Sequence, residues 1–375
     1  MEPEELLRQI EAPELIPVPA SQTSVQECPL DETASYRIQQ RFAWSLLSEC
    51  WADTLSWAET AFQKSVHGPW AFDAFRVPSE RVIVVPPSAV PSDIWFIGDL
   101  HGDLLALEMA LYHIEAATHG GASPFIVFLG DLVDDGKHGF AVFLRVLREL
   151  AKAPGRIGVL AGNHDEAVFW DGRSFATVVE PSGFAEWMNT YSTHPIVRRG
   201  GELFQVIFTQ APRAVFLGDG LFAAHAGFPH TDLHSEIRTQ ADLERPECLQ
   251  DFVWTRASSR ASKKLPNRNN RGCQFGYQDF DAFCALAQEL LGRSVNHLVR
   301  GHDHVEERYD LHPDCQVNTL TTINTLGHRL GREFKGAYSR TPCVARKRSG
   351  EPLEVHRLMM EERFLTEIYP VPLEL

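Results

Sequence analysis

Five short blocks concentrate carboxylate, amide and imidazole side chains in the middle of the chain. They are GDLHG with Asp99 and His101, GDLVDDG with Asp131 and Asp134, GNHD with Asn163, His164 and Asp165, HAG with His225, and GHDH with His302 and His304. Oxygen and imidazole nitrogen are the donor set of manganese, iron, zinc and related ions. Asp99, His101, Asp131, Asn163, His225, His302 and His304 offer more donors than one ion with an open water position uses. Two ions sharing a bridging carboxylate would use them, and two-metal sites are a standard solution for phosphoryl chemistry. Glycines beside the donors let the backbone turn sharply and leave room for ion and substrate. One block alone carries little, since GNHD can equally be a turn that caps a helix. Five in this order, each behind a strand-like run, are a chemical pattern.

The elements that must position these blocks are legible around them. IWFIGDL, FIVFLGDLV, RIGVLAGNHD, LFAAHAG and NHLVRGHDH each carry a short apolar run that ends at polar turn residues. Such runs read as strands buried on both faces. LLALEMALYHIEAA and GFAVFLRVLRELAK lie between them and read as helices. The alternation predicts a layered α/β architecture, in which ligands bind where loops leave the carboxyl ends of strands. VPPSAVPSD at 85–93 marks a junction into the main domain. The expected organisation is a loose acidic, proline-containing arm over 1–33, a helical extension over 34–92 and a catalytic domain over 93–375. In the extension, Trp44, Leu47, Trp51 and Leu55 recur at helical steps as one apolar stripe. That stripe either packs on its own fold or docks a partner. ARKRSG at 345–350 reads as a hairpin turn between β-rich runs.

Composition limits the alternatives. Lys and Arg number 35 against 50 Asp and Glu, a formal net charge of −15. An acidic surface repels phosphate backbones, which argues against broad nucleic-acid binding and against nuclease activity. The 7 cysteines are scattered without a C-x-x-C pair, the pattern of free thiols in a reducing compartment. The acidic N-terminus lacks the features of a signal peptide, and no apolar run is long enough to span a membrane. The expectation is a cytoplasmic protein with no membrane association.

With the blocks on the page, the chain resembles the calcineurin-like metallophosphoesterases, and within them the phosphoprotein phosphatase branch, in a bacterial-type form. That branch carries GDxHG, GDxVDRG, GNHE, HGG and R-x-H. DFVW at 251–254 is similar to its D-L-L-W segment, and NRGCQFG at 270–276 to its RG-x-x-FTFG segment. The resemblance covers roughly residues 93–330. It implies a β-sandwich of two mixed sheets flanked by helices, with the metal site at strand-end loops. It also implies two divalent or trivalent ions, manganese first with iron or zinc as alternatives. Carried over residue by residue, Asp99, His101 and Asp131 would hold the first ion, with Asp131 bridging. Asn163, His225 and His302 would complete the second. His304 stands where the wider superfamily has a further ligand and the phosphoprotein phosphatases usually have none.

The resemblance further implies direct attack on phosphorus by a hydroxide that the two ions activate. His164 would protonate the leaving oxygen, Asp134 would orient His164, and Arg271 and Asn163 would bind the phosphate. Two positions depart from the pattern. Asp135 replaces the arginine of GDxVDRG, and Arg256 stands where the branch has an aspartate after D-L-L-W-S. The two look charge-exchanged, which casts Arg256 as the replacement phosphate cation, with Lys137 and His138 as second candidates. The segment S-A-P-N-Y is replaced by TTINTLG at 321–327. The expected activity is a protein phosphatase-like phosphomonoesterase acting on a phosphoprotein or phosphopeptide. The alternative is a dinucleoside polyphosphate hydrolase of the diadenosine tetraphosphate type. A non-catalytic protein that binds a phospho-ligand comes third.

Overall fold

The computed structural model describes residues 23–47, 49–64, 69–118, 123–262, 265–266, 271–328 and 340–369. Its strands in chain order are β1 (Ser24–Pro29), β2 (Val82–Val84), β3 (Asp93–Ile97), β4 (Phe125–Phe128), β5 (Ile157–Val159), β6 (Phe169–Trp170), β7 (Phe175–Ala176), β8 (Ala214–Phe216) and β9 (Leu221–Ala224). They continue with β10 (Arg256–Ala257), β11 (Leu265–Pro266), β12 (Cys273–Phe275), β13 (His297–Arg300), β14 (Tyr309–Asp310), β15 (Thr319–Ile323), β16 (Cys343–Arg348) and β17 (Leu353–Met359). The helices are α1 (Glu32–Ser45), α2 (Glu49–Lys64), α3 (Leu104–Ala117), α4 (Gly139–Lys152), α5 (Asn163–Glu166), α6 (Gly183–Thr190), α7 (Pro195–Gln210), α8 (Pro246–Trp254), α9 (Tyr277–Leu291) and α10 (Glu362–Ile368).

Two six-stranded mixed sheets form the sandwich, in the orders β1-β17-β16-β3-β4-β5 and β14-β15-β13-β9-β8-β2. β3, β4 and β5 run parallel in the first sheet, as do β9, β13 and β15 in the second. Side chains alternate across each strand, so neighbours in sequence enter different layers. Phe96 and Val127 of the first sheet meet Val215, Ala223 and Val299 of the second in one core. Trp95, Ile97, Ile126 and Phe128 point the other way, into a core shared with α3, α4 and α7. Phe216, Phe222 and Leu298 face Phe252, Phe280 and Phe283 of α8 and α9. The result is helix, sheet, sheet and helix in four layers. α3 starts where Asp103 caps it, its carboxylate accepting the Ala106 N–H at 3.0 Å.

The N-terminal segment differs from the expected arm and separate extension. Ser24–Pro29 is an edge strand running parallel to β17, with Ser24 opposite Glu354 and Pro29 opposite Met359. Its side chains are largely exposed and polar, which hides it from a periodicity reading, and its proline is tolerated at an edge. Residues 1–22 of that arm lie outside the described residues. Leu30, Ala34, Ile38, Leu55 and Ala58 join the same core as α3 and α4, so residues 34–92 and 93–375 share one interior. The tryptophan stripe is also broken, because the chain leaves helix between α1 and α2. Trp44 and Leu47 are exposed while Leu55 is buried. The Arg148 guanidinium lies 3.2 Å from the centre of the Trp44 ring. ARKR at 345–348 belongs to β16, and of the ARKRSG segment Ser349 and Gly350 alone enter the turn, which runs on to β17 at Leu353. None of the cysteines is in a disulfide among the described residues, and no helix among them is long and apolar enough to cross a membrane.

A buried polar cluster ties α1 to α3 and α4. Arg145 of α4 donates to Glu108 of α3 at 2.6 Å and pairs with Glu149, while Ser45 of α1 donates to Glu108 at 2.8 Å. Arg145→Met leaves the Glu108 carboxylate buried without its cation, a loss of about 3–5 kcal/mol for a broken buried pair. The double variant Arg145→Met with Glu108→Leu should recover most of that loss. Urea unfolding of both checks it, and equal loss in the two would contradict the assignment.

Candidate metal centre

The loops that follow β3, β4, β5, β9 and β13 converge, and they carry the donors that the sequence blocks single out. Asp99, His101 and His304 bring one ligand atom each to within 4.8 Å of one another, and Asp131, His225 and His302 do the same. In the first group His304 Nε2 is 3.2 Å from Asp99 Oδ2 and 3.0 Å from His101 Nε2. In the second, His225 Nε2 lies 3.3 Å from Asp131 Oδ2, 3.2 Å from His302 Nδ1 and 3.1 Å from Asn163 Oδ1. Asp131 Oδ2 is also 3.5 Å from His101 Nε2, so one carboxylate oxygen faces both groups.

This convergence costs backbone energy. His101, Asp131 and His302 have φ of 45°, 52° and 67°, and Asp134 and Asp135 follow at 70° and 55°. Left-handed backbone costs roughly 1–2 kcal/mol per ordinary residue, and such residues persist only where the surroundings over-determine them. Two glycines make the close approach possible. A Cβ on Gly301 would overlap the Asp99 carboxylate, and one on Gly162 would overlap that of Asp131. The carboxylates are then held by donors. Asp99 accepts the His302 N–H at 2.9 Å and the Asn324 amide at 3.4 Å, and Asp131 Oδ1 accepts the His164 N–H at 2.9 Å. Behind them, the Asp165 carboxylate accepts the N–H of Leu132 at 2.9 Å and of Gly162 at 3.1 Å.

Electrostatics favours a donor set waiting for cations. Burial pushes the pKa of His101 and His302 well below the ordinary value, which leaves neutral rings with free lone pairs. Burial works against the charge of Asp131, yet His225 and His164 hold it well below the usual carboxylate range. Burial opposes a charge on His225, but Asp131 outweighs it and raises its pKa. The ring's Nδ1 is 2.9 Å from the Leu129 carbonyl and donates to it, so an ion that displaced the Nε2 proton would meet a lone pair there. That lone pair faces the oxygens of Asp131 and Asn163 and the Nδ1 of His302. Lone pairs converging in a buried space repel unless a cation lies among them, so these residues fit metal ions by the chemistry of their donors. Burial together with Asp131 pushes Asp165 up to about 7.

His164 lies beside this set, its ring edge-on to His101 with centroids 5.0 Å apart. Its Nδ1 is 2.9 Å from Asp134 Oδ2, and Asp134 Oδ1 accepts the Phe184 N–H at 2.8 Å. Burial opposes a charge on His164, but Asp131 and Asp134 outweigh it and hold its pKa at about 9. Arg271 lies over the Trp254 ring at 5.9 Å. Arg256 pairs with Asp303 at 2.9 Å and donates to the His302 carbonyl at 3.3 Å, which puts it against the block bearing His302 and His304. Asp135 turns its carboxylate to 3.4 Å from His101 Nδ1, on the face of the imidazole away from the shared oxygen. Asp303 and Asn324 escape the motif reading. Asp303 joins Arg300 at 2.6 Å to Arg256, and Asn324 reaches Asp99 from 225 residues away. The first was visible inside GHDH. The second has no signal along the chain.

The model of a family described as calcineurin-like phosphoesterase matches residues 92–306, more than half of the chain. A probable serine/threonine-protein phosphatase of Encephalitozoon cuniculi is 23% identical over 235 residues, covering 61% of this chain and 46% of that one. The serine/threonine-protein phosphatase PP2A-like PPG1 of Saccharomyces cerevisiae is 21% identical over 255 residues, 65% of each chain. The chain thus spans about half to two thirds of the length of these curated relatives. Among solved structures, a protein serine/threonine phosphatase from Saccharomyces cerevisiae with similarity to human PP5 superposes with a TM-score of 0.58 at 17% identity. That superposition covers 83% of this chain and 89% of that one, and it speaks for the fold.

Gly301→Ala should displace the Asp99 carboxylate without touching any donor. Divalent-ion affinity is expected to fall by roughly 10–100-fold, the range for lost outer-shell support. Isothermal titration of metal-stripped protein with Mn reads it, and wild-type affinity would show that Asp99 does not depend on this contact.

Proposed function

This chain belongs to the calcineurin-like phosphoesterase family, and from that premise we propose that it is a metal-dependent phosphomonoesterase that hydrolyses phosphoprotein. The observation that carries the reading is the pair of donor groups sharing Asp131 beside the His164–Asp134 couple. Asp99, His101, His304 and Asp131 hold one ion in this reading, and Asp131, Asn163, His225 and His302 the other. When bound, the ions supply Lewis-acid charge for the phosphoryl oxygens and lower the pKa of a water.

The chain's own residues do the rest. His164 gives a proton to the leaving oxygen, a task for which a raised pKa keeps it in the protonated state near neutral pH. Asp134 accepts from His164 Nδ1 and so aims Nε2 at the leaving group, while its second oxygen is anchored on the Phe184 N–H. Arg256, Arg271 and Asn163 bind the phosphate. Arg256 serves as the cation that Asp135 does not provide, and its position against the His302 block supports that role. Asp135 acts on the His101 side as a carboxylate partner of Nδ1, which keeps Nε2 for an ion. A phosphoprotein substrate is favoured by the serine/threonine-protein phosphatases among the relatives.

Metal-stripped protein should hydrolyse p-nitrophenyl phosphate only after Mn, Zn or Fe is restored, and Asp99→Asn should abolish it. A phosphopeptide panel run beside diadenosine tetraphosphate then decides the substrate, and turnover of the dinucleotide alone would reject the phosphoprotein reading. His164→Ala should lower kcat by about 10²–10⁴ with metal content intact. It should also remove the alkaline limb of the pH profile, because a general acid is lost as pH rises through its pKa. Arg256→Ala should raise KM or abolish turnover while Lys137→Ala stays near wild type; the reverse would reject the cation exchange.

A further inference from the structure

Away from this centre, three donors of different elements meet at the β1 edge of the first sheet. Cys28 of β1, His113 of α3 and His356 of β17 bring Sγ and ring nitrogens to within 4.8 Å of one another. His113 Nε2 is 3.0 Å from His356 Nδ1, and Cys28 Sγ is 3.5 Å from the same Nδ1. We propose that these residues form a second metal site, for a single borderline-soft divalent ion of the zinc class.

Two observations beyond proximity support the assignment. The His356 ring has Nδ1 toward the other two donors, and behind its Nε2 stands the Glu354 carboxylate at 3.6 Å. A carboxylate on the side of the far nitrogen is the usual companion of a metal-bound imidazole, and at 3.6 Å it acts here through its charge rather than through a hydrogen bond. The Trp95 indole then packs against both imidazoles, with centroids 5.6 Å from His113 and 5.0 Å from His356. Trp95 is buried, so both rings are braced by the core rather than by solvent. His356 Nδ1 has one hydrogen or one lone pair, and it faces both His113 Nε2 and Cys28 Sγ, which also lies 3.9 Å from the Gln26 carbonyl.

The spacing fits the ion. Zn–N of about 2.0–2.1 Å and Zn–S of about 2.3 Å place tetrahedral ligands roughly 3.3–3.6 Å apart, near the two distances above. The mixed sulfur and nitrogen set selects zinc-like ions over the harder ions suited to oxygen donors. Cys28 releases its thiol proton on binding, and the three protein donors leave one tetrahedral position to water. Such an ion would join β1, α3 and β17, adding a cross-link to the backbone pairing and the Gln26–Glu354 and Glu27–Arg357 contacts that hold the edge strand on β17.

The test uses cobalt as the probe on the full metal-stripped chain. Thiolate-bound cobalt gives a near-ultraviolet charge-transfer band, and the centre at the strand ends contains no sulfur donor. Wild type should develop this band, while Cys28→Ser and His356→Gln should lose it and retain one fewer zinc equivalent after dialysis. Manganese-dependent hydrolysis of p-nitrophenyl phosphate should be unchanged in Cys28→Ser, so failure of the phosphoesterase reading and failure of this one are separable. If His356→Gln does not fold, His113→Gln at its half-buried helix position carries the same prediction. No band in wild type, or a band that survives Cys28→Ser, would overturn the site.

Discussion

The Asp131 carboxylate is almost wholly buried and still ionised, and two sets of imidazoles close around it. A carboxylate taken out of water costs several kcal/mol unless opposite charge and hydrogen bonds offset it. The surroundings of Asp131 meet that demand from every side. The His164 N–H binds one oxygen, His225 and His101 approach the other, and Gly162 gives up its Cβ so that the carboxylate fits. Asp99 repeats the arrangement with Gly301, the His302 N–H and Asn324. Left-handed backbone at His101, Asp131 and His302 is the conformational cost of aiming these side chains inward.

The sandwich exists around this end as a rigid frame. β3, β4 and β5 are parallel neighbours, so the loops after them leave the sheet side by side and carry Asp99, Asp131 and Asn163 to one place. β9 and β13 do the same for His225 and His302 from the facing sheet. A site made from both sheets cannot drift unless the core between them shears, and that core is close-packed apolar side chains. The outer elements support the frame from behind. α1 reaches α3 and α4 through Ser45, Glu108 and Arg145, and β1 closes the sheet edge on β17.

Charge around the centre is distributed differently from the motif pattern the chain resembles. A carboxylate, Asp135, occupies the position of an arginine, and it leans on His101 rather than standing alone. On the other flank Asp303 gathers Arg300 and Arg256 against the His302 block, so the cationic side lies there. Two arginines on one carboxylate keep a net positive charge, which is the sign a phosphate needs. The proposed exchange of positions is thus electrically coherent across the site, although each change alone looks unfavourable.

Much of this was readable along the chain, for a definite reason. The strand-end blocks are local: a buried apolar run, a glycine and a donor fall within a few residues, so β3, β4, β5, β9, β13, α3 and α4 and the donors after the strands could be read directly. The couple of His164 with Asp134 followed from the resemblance of the same blocks. Composition misread β1, because an exposed edge strand with polar side chains has no hydrophobic period, and its partner β17 lies more than three hundred residues away. The Trp44–Leu55 stripe divides over two helices, because periodicity does not register where a helix stops, and its Trp51 and Leu55 pack on the protein's own core. Asn324 against Asp99, Asp135 against His101, and Cys28 with His113 and His356 were decided only by the tertiary structure. Those contacts depend on which strands and helices become neighbours, and that is settled by packing two sheets and their helices together rather than by any residue's sequence neighbours.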